Sequence, residues 1–512
     1  MNKHNRHGRR ALATGTTALA AALLVAGCSG GSGSGGDSDG AMVFGITADP
    51  TQMVPWTATS EQSIQVLSQI YSPLLNTDEN SAPVDGLAAL PEVSDDGRTY
   101  TFTLQDGLTF SDGSALDSED VKYTYEKIMD PASNASSASY LASVASIETP
   151  DPTTVVVNLK QPDASFVSGL SLVNTSIVPS DVSVESLETK PVGSGPYAFD
   201  SRTANESITL KANPDYYAGT PGAKTLEFRI IPDDQAMVSA LKTGSVDLAV
   251  FDNPVTAKSA TSDKVKTTPV DSLQYHVLQL RAASPVLSDV NTRLAIQCAI
   301  SRKDVVDSAA LGSGDVTGPI TSPDYRSDPE AQPCPEQDLD KAKSYLEKAG
   351  KAGGFTLDLM TSQGLYSTAV DEAQNIQAQL GKIGIKVNVE TLDSNEYVEK
   401  WLAGDFDAAI AQNAGSADPN TMYARYFTSN GSYAKVAGYG SPALDTLFAQ
   451  GIATTDEAER KQIYTQISDD LVNNAAWIWL FTPKEYIASN TAVKDLEART
   501  DASLSMLWKA SI

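Results

Sequence analysis

Histidine and cysteine are nearly missing from this chain, with three of each in 512 residues. His4 and His7 fall in the first ten residues, so only His276 remains beyond them; past Cys28 the cysteines are Cys298 and Cys334. A histidine-dependent nucleophilic triad or a His/Cys zinc site would have almost nothing to be built from. Basic charge is scarce too. Lysine and arginine number 37 against 64 acidic residues, a net charge of −27, which repels nucleic acid and anionic lipid headgroups and excludes both as partners held by charge. Long apolar runs are also wanting, because the one stretch of note, within residues 11–26, is shorter than the roughly 20 residues that span a bilayer. What the chain has in quantity is core material, 41% hydrophobic residues. Its length implies several lobes rather than one.

The apolar run belongs to a leader. Residues 1–28 place Lys3, Arg6, Arg9 and Arg10 ahead of an Ala/Leu/Thr-rich stretch that ends Leu24-Val25-Ala26-Gly27-Cys28, the arrangement of a secretory signal. A cysteine directly after Val-Ala-Gly resembles the lipobox of bacterial lipoproteins, in which the thiol is acylated and its residue becomes the new N-terminus. Cys28 is then a lipid anchor. Residues 29–40, SGGSGSGGDSDG, read as a flexible tether with an r.m.s. span of roughly 20 Å. The expected location is outside the cytoplasm of a bacterium, lipid-anchored to the cell membrane. In that oxidising compartment Cys298 and Cys334 can pair; the competing reading makes Cys298 a small buried hydrophobe, at helical spacing from Leu294. A bridge would contribute roughly 4 kcal/mol on chain-entropy reasoning.

Helices and strands alternate along the rest. Period-two or short apolar runs predict strands at 41–47, 98–105, 153–159, 225–231, 355–360, 385–390, FDAAIA (406–411) and AWIWLF (476–481). Helical spacing follows the loop after Trp56, up to Tyr71. It recurs at 117–129, with Asp117 and Asp120 spaced as a capping box and Val121, Tyr125 and Ile128 as the inner stripe. Further helices are expected before Gly244, around 370–384 (Val370, Ala373, Ile376, Leu380), and from Ser394 to Gly404 with Tyr397, Val398, Trp401 and Leu402 inward. A last one is expected from a Thr454/Glu457 capping box onward. The fold class is α/β, and no solenoid period recurs.

Five segments in order carry a resemblance: residues 70–88 with 93–128; PVGSGPYAF (191–199); ANPDYYAG (212–219) with LKTGSVDLA (241–249); DVNTRLAIQCAISRKDVVDSA (289–309); and DLDKAKSYLEKAG (338–350) with IQAQLGKIGIKVNVE (376–390). Together they are similar to family 5 of the extracytoplasmic solute-binding proteins of ABC importers, the oligopeptide, dipeptide and nickel type. Gln105 stands where an Arg is usual, and Ser194 where Thr is common. The resemblance implies a periplasmic-binding-protein-like (type II) two-lobe cleft fold with an additional inserted lobe. It places lobe I at 41–57, 191–281 and 483–512, lobe II at 58–190 and lobe III at 282–482. It further implies a monomer that takes no cofactor, captures a small-molecule ligand such as an oligopeptide, and hands it to the permease subunits of an ABC transporter.

Clefts between lobes are lined from strand ends and crossover loops. That rule marks Thr47, Asp49 and Trp56, Phe251 and Asn253, Gln274, Tyr275 and His276, and Asn413, Gly415, Ser416 and Asp418 as ligand-binding candidates. His276 reads better as a structural hydrogen-bonding residue, and Trp401, Trp477 and Trp479 as core. With a single histidine, no metal site is expected. A rival class, a secreted serine hydrolase, would draw on Ser432-Tyr433-Ala434-Lys435 or on Gly193-Ser194-Gly195, yet neither has its companion motifs. In peptide-binding members an Asp three residues before the Asp-Pro pair holds the peptide ammonium. Here Gly415 precedes Asp418-Pro419, so a free peptide N-terminus is not demanded unless Asp418 or Asp49 substitutes. A peptide-like ligand ranks narrowly first, and a neutral oligosaccharide or other polar solute second.

Overall fold

Two stretches of chain tie the molecule together. In the computed structural model, which describes residues 40–499 and 503–512, Trp477–Asn490 is a single strand of 14 residues. Its residues 477–481 pair antiparallel with Tyr275–Leu280, and its residues 484–490 with Val265–Asp271. Both stretches therefore cross from one half of a 12-stranded sheet to the other. Leu248–Phe251, Ala41–Ile46, Thr225–Ile230, Ser207–Ala212 and Tyr197–Thr203 extend the sheet on one side, and Ala408–Asn413, Thr356–Gln363 and Lys386–Asp393 on the other. The leader, Cys28 and the tether as far as residue 39 lie outside the described residues.

Parallel neighbours need crossovers, and helices supply them. Ala369–Gly381 links Thr356–Gln363 to its parallel partner Lys386–Asp393, burying Ala373, Ile376 and Leu380. Asp234–Thr243, closed by Gly244, leads into Leu248–Phe251. A separate four-stranded sheet is formed by Glu92–Val93, Thr99–Thr103, Thr154–Leu159 and Val144–Asp151. The helix Ser118–Met129 accompanies it, with the Asp117/Asp120 capping box in place and Val121, Tyr125 and Ile128 buried. The α/β class and the type II cleft architecture are thus present.

Three local expectations are corrected. The last long helix, Glu457–Asn473, is capped by Asp456, which accepts from the Glu459 N–H. Thr454 cannot start it because its N–H still bonds to Gln450 O, closing a preceding helix, Pro442–Ala453, that the periodicity had not revealed. On Ser394–Ala403 only a narrow seam is covered. Tyr397 is buried and Trp401 partly so, while Val398 and Leu402 are 40% and 50% exposed; one i, i+4 pair suffices where a helix meets the fold along a single edge. The strand read as AWIWLF runs on to Asn490, because neighbours pair with its polar second half as well.

Cys298 and Cys334 are joined by a disulfide, their Cα atoms 5.0 Å apart. It fastens an otherwise irregular stretch to the buried helix Val290–Ala299, and both sulfur residues lie in one apolar core. Closing a loop of 36 residues restricts the unfolded chain by about 4 kcal/mol. The double variant Cys298→Ser/Cys334→Ser should lose stability of that order in urea unfolding, and reductant should then have no further effect. A variant as stable as the parent would show that the bridge does not constrain the chain.

Candidate functional site

The loops that leave the crossover strands pack directly on one another. A Cβ added at Gly415 would sit 1.9 Å from the carbonyl oxygen of Leu273, so no side chain fits there. Thr321 Oγ1 donates to Leu273 O (2.7 Å) and Ser322 Oγ to Ser416 O (2.6 Å), pinning both loops. Asp418 then caps the helix Pro419–Phe427 by accepting from the Asn420 and Thr421 N–H groups. Opposite this wall stand Tyr140 and residues 168–174, and between them lies a cavity of about 400 Å³. Ile64, Leu172, Val173 and Met422 give it apolar surface; Ser168, Asn174, Gln274, Ser416 and Thr421 give it hydrogen-bonding groups. Arg425 is the sole charged side chain lining it among the described residues. A second hollow of about 650 Å³ shares Tyr140, Thr421 and Arg425 and reaches Lys160, Asp163 and Ser432.

The rim of this space is bridged. The Ala164 N–H donates to Ile452 O at 2.7 Å, and a Cβ at Gly97 would lie 3.8 Å from the Thr455 methyl. The segment bearing the four-stranded sheet thus touches the far half of the molecule across the cleft mouth.

On the other side of the crossover strands is a chamber of about 320 Å³ lined by Thr47, Glu61, Phe251, Asp252, Gln274, His276 and Gln412, among others. Gln274 faces both spaces, and Gln412 Nε2 donates to its Oε1 at 2.5 Å. Glu61 is exposed at the chamber wall; desolvation there pushes its carboxyl above the usual range, and Asp252 adds to it. Asp252 is raised in turn by burial and by Asp234. His276 stacks on Phe481 with centroids 4.3 Å apart and bonds to Glu372 at 2.7 Å, both side chains being almost fully buried.

The model for bacterial extracellular solute-binding proteins, family 5 (middle region), matches residues 52–434. The chain belongs to that family. Protein XP55 of Streptomyces lividans is 30% identical over 492 residues, which cover 91% of this chain and 89% of XP55. The glutathione-binding protein GsiB of Escherichia coli (strain K12) is 26% identical over 472 residues, 86% of this chain and 89% of its own. Among solved structures, the binding protein AgaA of A. tumefaciens R10, in complex with agropinic acid, superposes with a TM-score of 0.76 at 27% identity, covering 92% of this chain and 98% of AgaA. Among the described residues no helix is long and apolar enough to cross a membrane.

Within this family frame the marked residues sort by what holds them. Gly415, Ser416 and Gln274 line the larger cleft, and Thr47, Phe251 and again Gln274 the chamber behind it. The others serve the scaffold. Asp49 is ion-paired with Arg202 at 2.8 Å and accepts from the Asn205 N–H. Asn253 caps the helix Pro254–Ala260. Trp56 is 1% exposed within the main core, and Tyr275 is buried against Tyr423. Asn413 lies behind the wall, accepting from Tyr426. Asp418 is 1% exposed and bonds to Arg460 at 2.6 Å. Burial opposes the Arg460 charge, but Asp418 and the tyrosines beside it outweigh that and push its pKa up. Neither Asp418 nor Asp49 is free to receive a ligand ammonium.

Packing accounts for the two hydrolase-like motifs. Glycines at 193 and 195 allow the backbone to press on Ile70, where a Cβ would meet the Ile70 carbonyl group at 2.3 and 2.5 Å respectively. Ser194 is buried. Ser432 and Lys435 are exposed and make no hydrogen bond to each other. The cleft residues that periodicity missed are Tyr140, the irregular run 168–174 and Arg425. Only Arg425 left a trace, as a lone cation among the aromatic residues of NTMYARYF.

Removing the Asp418 carboxylate leaves Arg460 buried without its partner, which costs about 3–5 kcal/mol. Asp418→Ala should therefore lower the unfolding midpoint sharply; a variant with parental stability and weakened solute binding would instead make Asp418 a ligand contact. The raised carboxyls act in the opposite sense with pH. A carboxyl whose folded pKa exceeds its unfolded one contributes stability that is complete below the unfolded pKa and lost as pH rises through the folded pKa. Glu61→Gln should accordingly flatten the decline in thermal midpoint between the ordinary carboxylate range and neutral pH. A slope identical to the parent's would contradict a raised Glu61 carboxyl.

Proposed function

We propose that this protein is a lipid-anchored solute-binding protein that closes on an organic solute of about oligopeptide size and delivers it, as a monomer, to the permease of an ABC importer. The observation that carries the reading is the cleft itself: a partly apolar cavity with a few placed polar groups, at the crossover between two halves and bridged at its rim by Ala164 and Ile452. Its volume lies within the range of small-molecule sites. A solute touching both walls stabilises the bridged form by contacts the open form lacks, and a permease can read that shape. On this reading the halves correspond to lobes I and II (41–57, 58–190, 191–281, 483–512) facing lobe III (282–482). Cys28 supplies the anchor and residues 29–40 the reach. Relatives named for glutathione and agropinic acid binding support a small organic ligand over a macromolecule. The family consists of binding proteins, and enzymatic turnover is not part of this proposal.

A thermal-shift screen of peptides, oligosaccharides and metal chelates, with generic ester and β-lactam substrates alongside, tests it, because a ligand at 100 times its Kd adds roughly 2.7 kcal/mol of stability. Stoichiometric stabilisation without product formation is expected; conversion of a screened ester or β-lactam would overturn the reading. For the anchor, Cys28→Ser should move the protein from the membrane fraction to the medium or soluble fraction, since acyl chains and not the acidic surface would hold it. Retention of the variant on washed membranes would contradict this.

A further inference from the structure

Among the described residues Arg425 is a cation without a counter-charge. It sits on the helix Pro419–Phe427, its guanidinium carbon 4.9 Å over the Tyr426 ring and 5.8 Å over that of Tyr433. The rings fix its position but take none of its hydrogen bonds. Its Nε is buried with no acceptor, and none of its nitrogens lies within ion-pairing distance of a carboxylate among the described residues. The more deeply buried arginines have their donors taken, Arg460 by Asp418 and Arg293 and Arg302 by backbone carbonyls. A planar guanidinium presenting free N–H groups to a cleft can form two parallel bonds to an oxyanion, which in an organic solute is most simply a carboxylate.

The surroundings favour the same sign. Among the described residues no acidic side chain lines the cavity of about 400 Å³ in which Arg425 faces Tyr140, Ser168 and Asn174. The wall at Gly415 admits no side chain of any kind, since a Cβ there would lie 1.9 Å from the Leu273 carbonyl oxygen. In the adjoining hollow Lys160 adds a second cation, and Asp163 spends its Oδ1 on the Ser165 N–H and hydroxyl. The Arg425 charge also reaches across the cleft, where it opposes the burial that raises the Tyr140 phenol.

We propose that the cleft selects an organic acid, with Arg425 holding the ligand's carboxylate and no protein carboxylate engaging an ammonium. This rests on the cleft being the solute site and adds the ligand's charge and its anchor. The test is calorimetry on the full-length protein in mild detergent with matched probes: N-acetyl-trialanine and its C-terminal amide, and trigalacturonic acid and its methyl ester. The free acid of at least one pair should bind about thirtyfold more tightly than its neutral partner. Arg425→Gln should abolish that preference by weakening the acid alone, while Arg425→Lys, which keeps the charge and guards against a simple folding defect, should retain part of it. Equal binding of acid and neutral partner, or an undiminished preference in folded Arg425→Gln, would overturn the assignment while leaving the cleft as the solute site. Binding of no probe of either kind would overturn the cleft reading and this one with it.

Discussion

One strand, Trp477–Asn490, is hydrogen-bonded to both halves of the molecule, and the remaining architecture depends on it. Its first residues are held by Tyr275–Leu280 and its last by Val265–Asp271 and Leu248–Phe251. Backbone hydrogen bonds in a sheet resist sliding but tolerate twist, and the paired register changes beside His276. Such a seam keeps two cores in one chain while permitting them to rotate about it. Loops springing from the seam, at 272–274 and 414–418, are therefore where both halves can reach a single molecule.

The cost of placing polar groups at this seam is met locally. Asp418 and Arg460 are each almost fully buried, and their bond is supplemented by Arg460 donating to Gly451 O and Tyr325. His276 and Glu372 form a comparable pair, with Thr368 also donating to Glu372. A buried ion pair such as Asp418–Arg460, with its hydrogen bonds complete, fixes geometry more than it adds stability. It holds the wall rigid, which leaves Arg425, held only by aromatic faces, as the charge available to something from outside.

Much of this frame is legible in the sequence. Strict alternation in residues 99–103 and the Asp117/Asp120 spacing each identify an element whose local chemistry agrees with its tertiary setting. The ordered segments around PVGSGPYAF reflect a backbone contact that only glycine allows. The cleft is harder to read, for a physical reason. Half-cavity walls such as 168–174 have no period, and Asp49, Asn253 and Asp418 are polar residues after strands whether they cap a helix, pair with an arginine or meet a ligand. Sequence marks the position; only packing shows which partner has taken the side chain.

Whether the two halves move relative to one another when a solute arrives decides how this protein signals. Spin labels at Asp95 and Ala458, exposed positions flanking the bridged rim, report that separation by pulsed electron resonance. Closure on a ligand predicts a longer or broader distance distribution without solute, collapsing to a single short distance when a binding solute saturates the cleft. One short distance, unchanged by a solute that calorimetry shows to be bound, would contradict closure as the signal this protein sends.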